Sequence, residues 1–190
     1  MFGWGKKPPP SAAEVLRSGR WRCENCATEH SWPFDLAARA PDPWSHGDAY
    51  QPNSELHLDG DFLSEDFCVI EGRHFMVRAV LTIPVNGVDG DFGFGCWTTL
   101  SRENFGKYVD GFDSGDFGED AMWSGWLVNR LAIVAEDDDP IALWVQPRPE
   151  RQRPLLWAQS DEHVLGIAQD EGISPETMLE ILRRYGHAPE

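Results

Sequence analysis

Apolar and polar positions alternate most clearly in the middle of the chain, and that stretch predicts the sheet. Phe67-Cys68-Val69-Ile70 is a short apolar run with the length of a strand. Glu71-Gly72 allows a tight turn. From His74 to Pro84 the chain alternates cleanly: Phe75, Val77, Ala79, Leu81 and Ile83 share one face, and Met76, Arg78, Val80 and Thr82 share the other. Asn86-Gly87 and Asp89-Gly90 turn the chain. A third strand runs from Phe92 to Leu100, with Phe92, Phe94, Cys96 and Thr98 on one face. Gly93 and Gly95 leave room on the opposite face for a close neighbour. These three strands predict an antiparallel meander. Ile141 to Gln146 reads as a further strand and residues 155–159 as a weaker one, while residues 123–131 are apolar and fit either state.

The 3.6-residue period takes over elsewhere. Ser11-Ala12-Ala13-Glu14 has the capping-box pattern of a short helix that Gly19 would end. Ser101 caps a second helix, with Phe105, Tyr108, Val109 and Phe112 as its apolar stripe. Residues 161–169 read as a helix capped by Asp161. Ser174-Pro175 opens the last helix, whose stripe is Met178, Leu179, Leu182 and Tyr185 and whose end is Gly186. Residues 33–60 are rich in turn formers and read as an ordered loop pinned by Trp32, Phe34, Trp44 and Tyr50. The expected fold is α+β: an antiparallel sheet of about five strands, helices on one face, and a small N-terminal zinc-knuckle-like lobe. Residues 1–20 would form a tail, loose up to about Pro10, and a short helix. Residues 21–60 would form the knuckle-like segment with its ordered loop. Residues 61–190 would form an α+β domain packed with it as one unit.

Charge narrows the partners. Asp and Glu outnumber Lys and Arg by 32 to 16, for a net charge of −16. Phosphates need cationic side chains, so free nucleic acid and anionic membranes are disfavoured, whereas a basic protein would be drawn in by the field. Nine Trp and ten Phe exceed what solubility alone would favour and must fill a core or line an interface. No window approaches the roughly 18 apolar residues needed to cross a bilayer. Lys6 and Lys7 are followed by Pro8, Pro9 and Pro10 and not by an apolar run, so no secretory signal is expected. Four cysteines without such a signal point to a reducing, cytoplasmic setting.

One spacing carries specific chemistry: Cys23-x-x-Cys26-x-x-x-His30. Two thiols in one tight turn and an imidazole four residues later favour zinc. A closed structural site needs a fourth ligand, from Cys68, His74, Cys96, His46 or His57; an open catalytic site keeps water there. Cys68 and Cys96 cannot serve together. They lie two strands apart, about 9–10 Å, and two sulfurs on one zinc must lie within about 4 Å. Cys68, on the edge strand nearest in sequence to the motif, is the expected fourth ligand. Free thiols are the plain alternative, and a redox pair is weaker because residues 28–33 do not read as the helix such a pair requires.

The rest of the chain offers little catalytic signal. It has no G-x-S-x-G, H-E-x-x-H, P-loop or G-x-G-x-x-G. His163 reads as a core-edge residue rather than a base. Asp113, Asp116, Glu119 and Asp120 lack EF-hand spacing and read as a solvated loop. Arg148, Arg151 and Arg153 either grip an acidic group or balance the chain's own negative field, the second being favoured.

Several runs in order carry a resemblance. They are Phe92-Gly93-Phe94-Gly95-Cys96-Trp97, Ser101-Arg102-Glu103-Asn104-Phe105, Gly125-Trp126-Leu127, Gln146-Pro147-Arg148-Pro149, His163-x-Leu165 and Gln169-x-x-Gly172-Ile173. Preceded by C-x-x-C-x-x-x-H, they resemble the bacterial domain-of-unknown-function family 2199 over roughly residues 21–184. The resemblance brings no activity. It implies glycine directly after the second cysteine, where this chain has Ala27; alanine makes the left-handed turn of a zinc knuckle costlier. The expected function is a non-enzymatic, acidic, Trp-rich protein-binding module with a structural zinc at Cys23, Cys26, His30 and Cys68. In its sharper form it is an immunity or inhibitor protein against a basic toxin such as a nuclease. The rival is a zinc-dependent hydrolase with an open Cys/Cys/His site.

Overall fold

The structure, a computed structural model, describes residues 10–47, 49–118, 120–134 and 139–189. The expected tail over 1–9, Glu119 of the acidic loop, and Asp137 and Asp138 of the turn before Pro140 lie outside them.

Helix α1 (Ala12–Arg17) begins with the expected capping box: the Glu14 side chain accepts from the Ser11 backbone N–H at 2.8 Å, and Ser11 Oγ accepts from the Glu14 N–H. A two-stranded antiparallel hairpin follows, β1 (Arg20–Arg22) and β2 (Glu29–Ser31). The remaining strands form one sheet: β3 (Asp35–Ala37), β4 (Phe62–Leu63), β5 (Phe67–Ile70), β6 (His74–Pro84), β7 (Asp91–Leu100), β8 (Trp123–Trp126), β9 (Ala142–Gln146) and β10 (Leu155–Ala158). Helices α2 (Arg102–Gly111), α3 (Val164–Glu171) and α4 (Pro175–Arg184) complete the fold.

The predicted meander β5–β6–β7 is present and antiparallel. The sheet is larger than predicted, with eight strands, and it is mixed: β3 joins β7 and β10 joins β6 in parallel. The strands beyond the expected set are β3, β4 and β8, of three, two and four residues, too short for local periodicity to register, while β10 falls on the weaker strand expected at residues 155–159. The room left by Gly93 and Gly95 is taken by β3, with Asp35 opposite Gly93 and Ala37 opposite Gly95. The chain after β8 returns to β7, where Val128 N–H donates to Trp97 O at 2.9 Å and Trp126 N–H to Thr99 Oγ1 at 3.0 Å, so the sheet curls on itself.

Alternation sorts the buried side chains into two cores. Phe75, Val77, Ala79, Leu81 and Ile83 of β6 share the larger one with the buried residues of all four helices, among them Leu16, Phe105, Leu165 and Leu182. Met76 and Trp97 point the other way and pack with Leu63 and Cys68 under a cover that includes Trp44 and Tyr50. One cap differs from expectation. His163, not Asp161, caps α3, its Nδ1 accepting from the Leu165 N–H at 3.1 Å. Among the described residues, no helix is long and apolar enough to cross a membrane.

Candidate metal centre

The turn between β1 and β2 is built around its cysteines. Cys23 N–H donates to Thr28 O at 2.9 Å and Ala27 N–H to Cys23 O at 3.0 Å, which closes the loop. Cys26 N–H points at Cys23 Sγ at 3.5 Å, the amide-to-sulfur contact of a metal knuckle. Ala27 adopts the left-handed backbone with φ of 54°, the conformation that glycine would take without strain. Ala27→Gly is therefore expected to stabilise the protein by about 1 kcal/mol in chemical denaturation, with metal content unchanged.

His30, opposite Trp21 in the hairpin, brings Nε2 to 3.4 Å from Cys26 Sγ. The fourth member of the group is His187, which the sequence reading missed. Ligand atoms of Cys23, Cys26, His30 and His187 all lie within 4.8 Å of one another. The end of α4 places it. Gly186, with φ of 75°, donates to Arg183 O at 3.0 Å, and His187 N–H donates to Leu182 O at 2.7 Å. This pair of bonds is a Schellman motif, and His187 is the residue it turns back toward the body of the protein. Trp21 Nε1 holds the His187 carbonyl at 3.1 Å, Glu24 N–H donates to Ala188 O at 3.0 Å, and Cys23 bridges Pro189. The His30 and His187 rings meet edge-to-face at 5.0 Å, with Phe34 packed against both.

The expectation that Cys68 completes the set is corrected by where the chain puts it. Cys68 sits in β5 opposite Met76, buried in the second core, and is not part of this group. Burial pushes its thiol up to about 12, so it carries a proton and offers no thiolate. Cys96 is likewise buried and raised to about 12, on the larger-core side of β7. His46 pairs with Asp61 at 2.8 Å and His57 with Asp59 at 3.7 Å, while His74 opens β6 opposite Ile70, all outside the group. Among the described residues, the acidic loop brings together no set of this kind either.

The donors suit a metal. Around a tetrahedral zinc with bonds of about 2.3 Å to sulfur and about 2.0 Å to nitrogen, neighbouring ligand atoms stand roughly 3.3–3.8 Å apart; the Cys26–His30 pair already matches. Hydrogen bonding by the Thr28 side chain and backbone, then by Cys23, lowers the Cys26 pKa and favours thiolate. Burial, and then the charge of His187, lowers the His30 pKa, a shift toward the neutral ring that a metal ligand needs. His187 Nδ1 is shut off from water with no hydrogen-bond partner. A buried nitrogen without a partner is costly, and ligation satisfies the ring. The group could hold a metal ion.

Residues 22–173 match the model of an uncharacterized protein family conserved in bacteria, DUF2199. No curated protein and no solved structure matches the chain.

Proposed function

The chain belongs to the DUF2199 family, described only as uncharacterized, and from that premise we propose a role read from the centre itself: a structural zinc clasp on a non-enzymatic, acidic protein-binding module. One observation carries the structural reading. Two cysteines and two histidines supply four protein ligands, which fill a tetrahedral zinc and leave no position for water. A zinc hydrolase needs that position, so the open Cys23/Cys26/His30 alternative would require His187 to leave. The clasp joins the first hairpin to the chain beyond α4, and the metal would act by holding the two together.

The binding role falls to another face. Trp126 and Trp144 are about half exposed. Trp144 lies opposite Trp157 across β9 and β10, and Ser124, two residues from Trp126 on β8, lies opposite Trp144. Alternation places all three tryptophans on one outer face. Exposed tryptophans on an acidic protein suit a basic protein partner, such as a toxin that the chain would inhibit. Cobalt substituted for zinc reports the coordination directly. The expected spectrum is that of a four-coordinate S2N2 site unchanged by added anions. Binding of a basic partner should weaken with salt and fall by at least about tenfold in Trp126→Ala/Trp144→Ala. A cobalt-bound water together with hydrolytic turnover that Cys26→Ser abolishes would overturn the proposal in favour of the hydrolase.

A further inference from the structure

Away from the metal centre, one edge of β6 carries two different neighbours. β5 pairs with residues 74–77 and β10 with residues 80 and 81. Both strands begin at the seam, Phe67 opposite Val77 and Leu155 opposite Val80. The β6 backbone is bonded straight across it, Arg78 N–H to Asp66 O at 3.0 Å and Val80 N–H to Pro154 O at 2.8 Å. The loops leading into the two strands face each other there. Between them lies an open pocket of about 490 Å³ whose walls include Asn53, Glu65, Asp66, Arg148, Gln152 and Arg153, a volume in the range of small-molecule sites.

The pocket's carboxylates are already matched. Arg153 holds Glu65 at 2.8 Å and approaches Asp66 at 3.6 Å, and Asn53 Nδ2 donates to Asp66 at 2.9 Å. At the rim Arg151 holds Asp113 at 2.8 Å. Two guanidinium groups are not matched. Arg148 donates Nε to Arg153 O at 2.7 Å and makes no ion pair among the described residues, so both terminal nitrogens remain available. Arg78 is 7% exposed and lies on the same face of β6 as Val80, which lines the pocket. It donates to Tyr50 Oη at 3.3 Å, while its Nε is shut off from water without a partner. In a chain of net charge −16, neither forms an ion pair among the described residues, although Glu65 and Asp66 stand near enough to Arg78 to act on its charge. Burial lowers the pKa of both, and for Arg78 the charge of Arg153 adds to the effect. The loop bearing Arg148 also stores strain: Glu150 and Arg151 both take left-handed backbone, with φ of 58° and 57°.

We propose that this seam pocket binds a small molecule through a carboxylate or phosphate group, gripped by Arg148 and balanced by Arg78 from behind. A planar guanidinium with two free nitrogens presents the two-pronged donor set that such groups fit. The polar wall of Asn53 and Gln152 offers amides to the rest of the ligand. The site takes no residue from the metal clasp.

Thermal unfolding and calorimetric titration of the full chain test it, with inorganic phosphate and succinate as probes and sodium chloride at equal ionic strength as control. At least one probe should raise Tm with concentration, as a ligand of the folded state does. Arg148→Gln should weaken that binding by roughly ten- to a hundredfold, and Arg148→Lys by less. Arg73→Gln, outside the pocket at a residue already paired with Glu71, should change it by no more than about threefold. A response to phosphate alone or to succinate alone supports the site and names the ligand class. Unchanged Tm with both probes, or equal binding by Arg148→Gln protein of normal zinc content and unliganded Tm, overturns it.

Discussion

Cys23→Ser is expected to abolish metal binding at the proposed clasp and free the first hairpin from the end of α4. Cys23 has no exposed surface, its sulfur takes the Cys26 amide, and its backbone bridges Pro189. Serine offers a hydroxyl that neither binds zinc well nor suits that buried site. Loss of a structural metal is among the few single changes worth about 4 kcal/mol or more. The loss should be uneven. The larger core contains none of the four ligands, and only Trp21 of the hairpin reaches into it. Amide exchange should therefore accelerate in residues 20–31 and 186–189 while β6 and β7 stay protected. Cys68→Ser is the control, because it buries a hydroxyl in the second core at a cost of about 1–3 kcal/mol yet should leave the metal content equal to wild type. Metal analysis of both variants decides the matter. A Cys23→Ser protein that keeps its zinc, or a Cys68→Ser protein that loses it, would sink the assignment.

Three of the four members of this centre are legible in the chain and the fourth is not, for a definite reason. Cys23, Cys26 and His30 lie within one turn, so spacing alone brings them together. His187 meets them only after the whole sheet has been laid down; Trp21 and His187, which are hydrogen-bonded, stand 166 residues apart. A signal did exist. Gly186 ends α4, and a glycine-terminated helix turns its next residue back toward the protein. A histidine in that position was worth testing as a ligand. Strand adjacency favours Cys68 but ignores the face a side chain takes. The alternation that pairs Cys68 with Met76 puts it in the second core. The same contrast runs through the fold. β5, β6, β7 and α4 declared themselves by period and caps. β3 is three residues long, and only the paired glycines of β7 hinted at it.

Asn129 is the second residue whose importance only the folded chain reveals, and Asn129→Ala should cost about 3–5 kcal/mol. Asn129 follows β8 in an apolar stretch that fits either secondary structure, and it is 5% exposed. Its side chain makes three bonds. Oδ1 accepts from the Trp97 N–H at 2.8 Å, and Nδ2 donates to Ala40 O at 3.0 Å and to Asp42 Oδ1 at 2.8 Å. Asp42 Oδ2 in turn accepts from the Arg130 N–H at 2.7 Å. One amide thus ties β7 to the segment that covers the second core, where Ala38, Ala40, Trp44 and Tyr50 pack on the cluster of Leu63, Cys68, Met76 and Trp97. Alanine removes an acceptor from the Trp97 amide and a donor from the Ala40 carbonyl. Each buried group left unmatched costs about 1–3 kcal/mol. Asn129→Asp separates the two halves of the network: it keeps an acceptor for Trp97 but sets a second carboxylate against Asp42. If the network carries the cover, Asn129→Asp should also be destabilised, and exchange should rise along residues 38–44 in both variants before it rises in β6. Chemical denaturation with residue-level exchange gives the answer, and an Asn129→Ala midpoint equal to wild type would mean that the cover is held by packing on Trp97 alone.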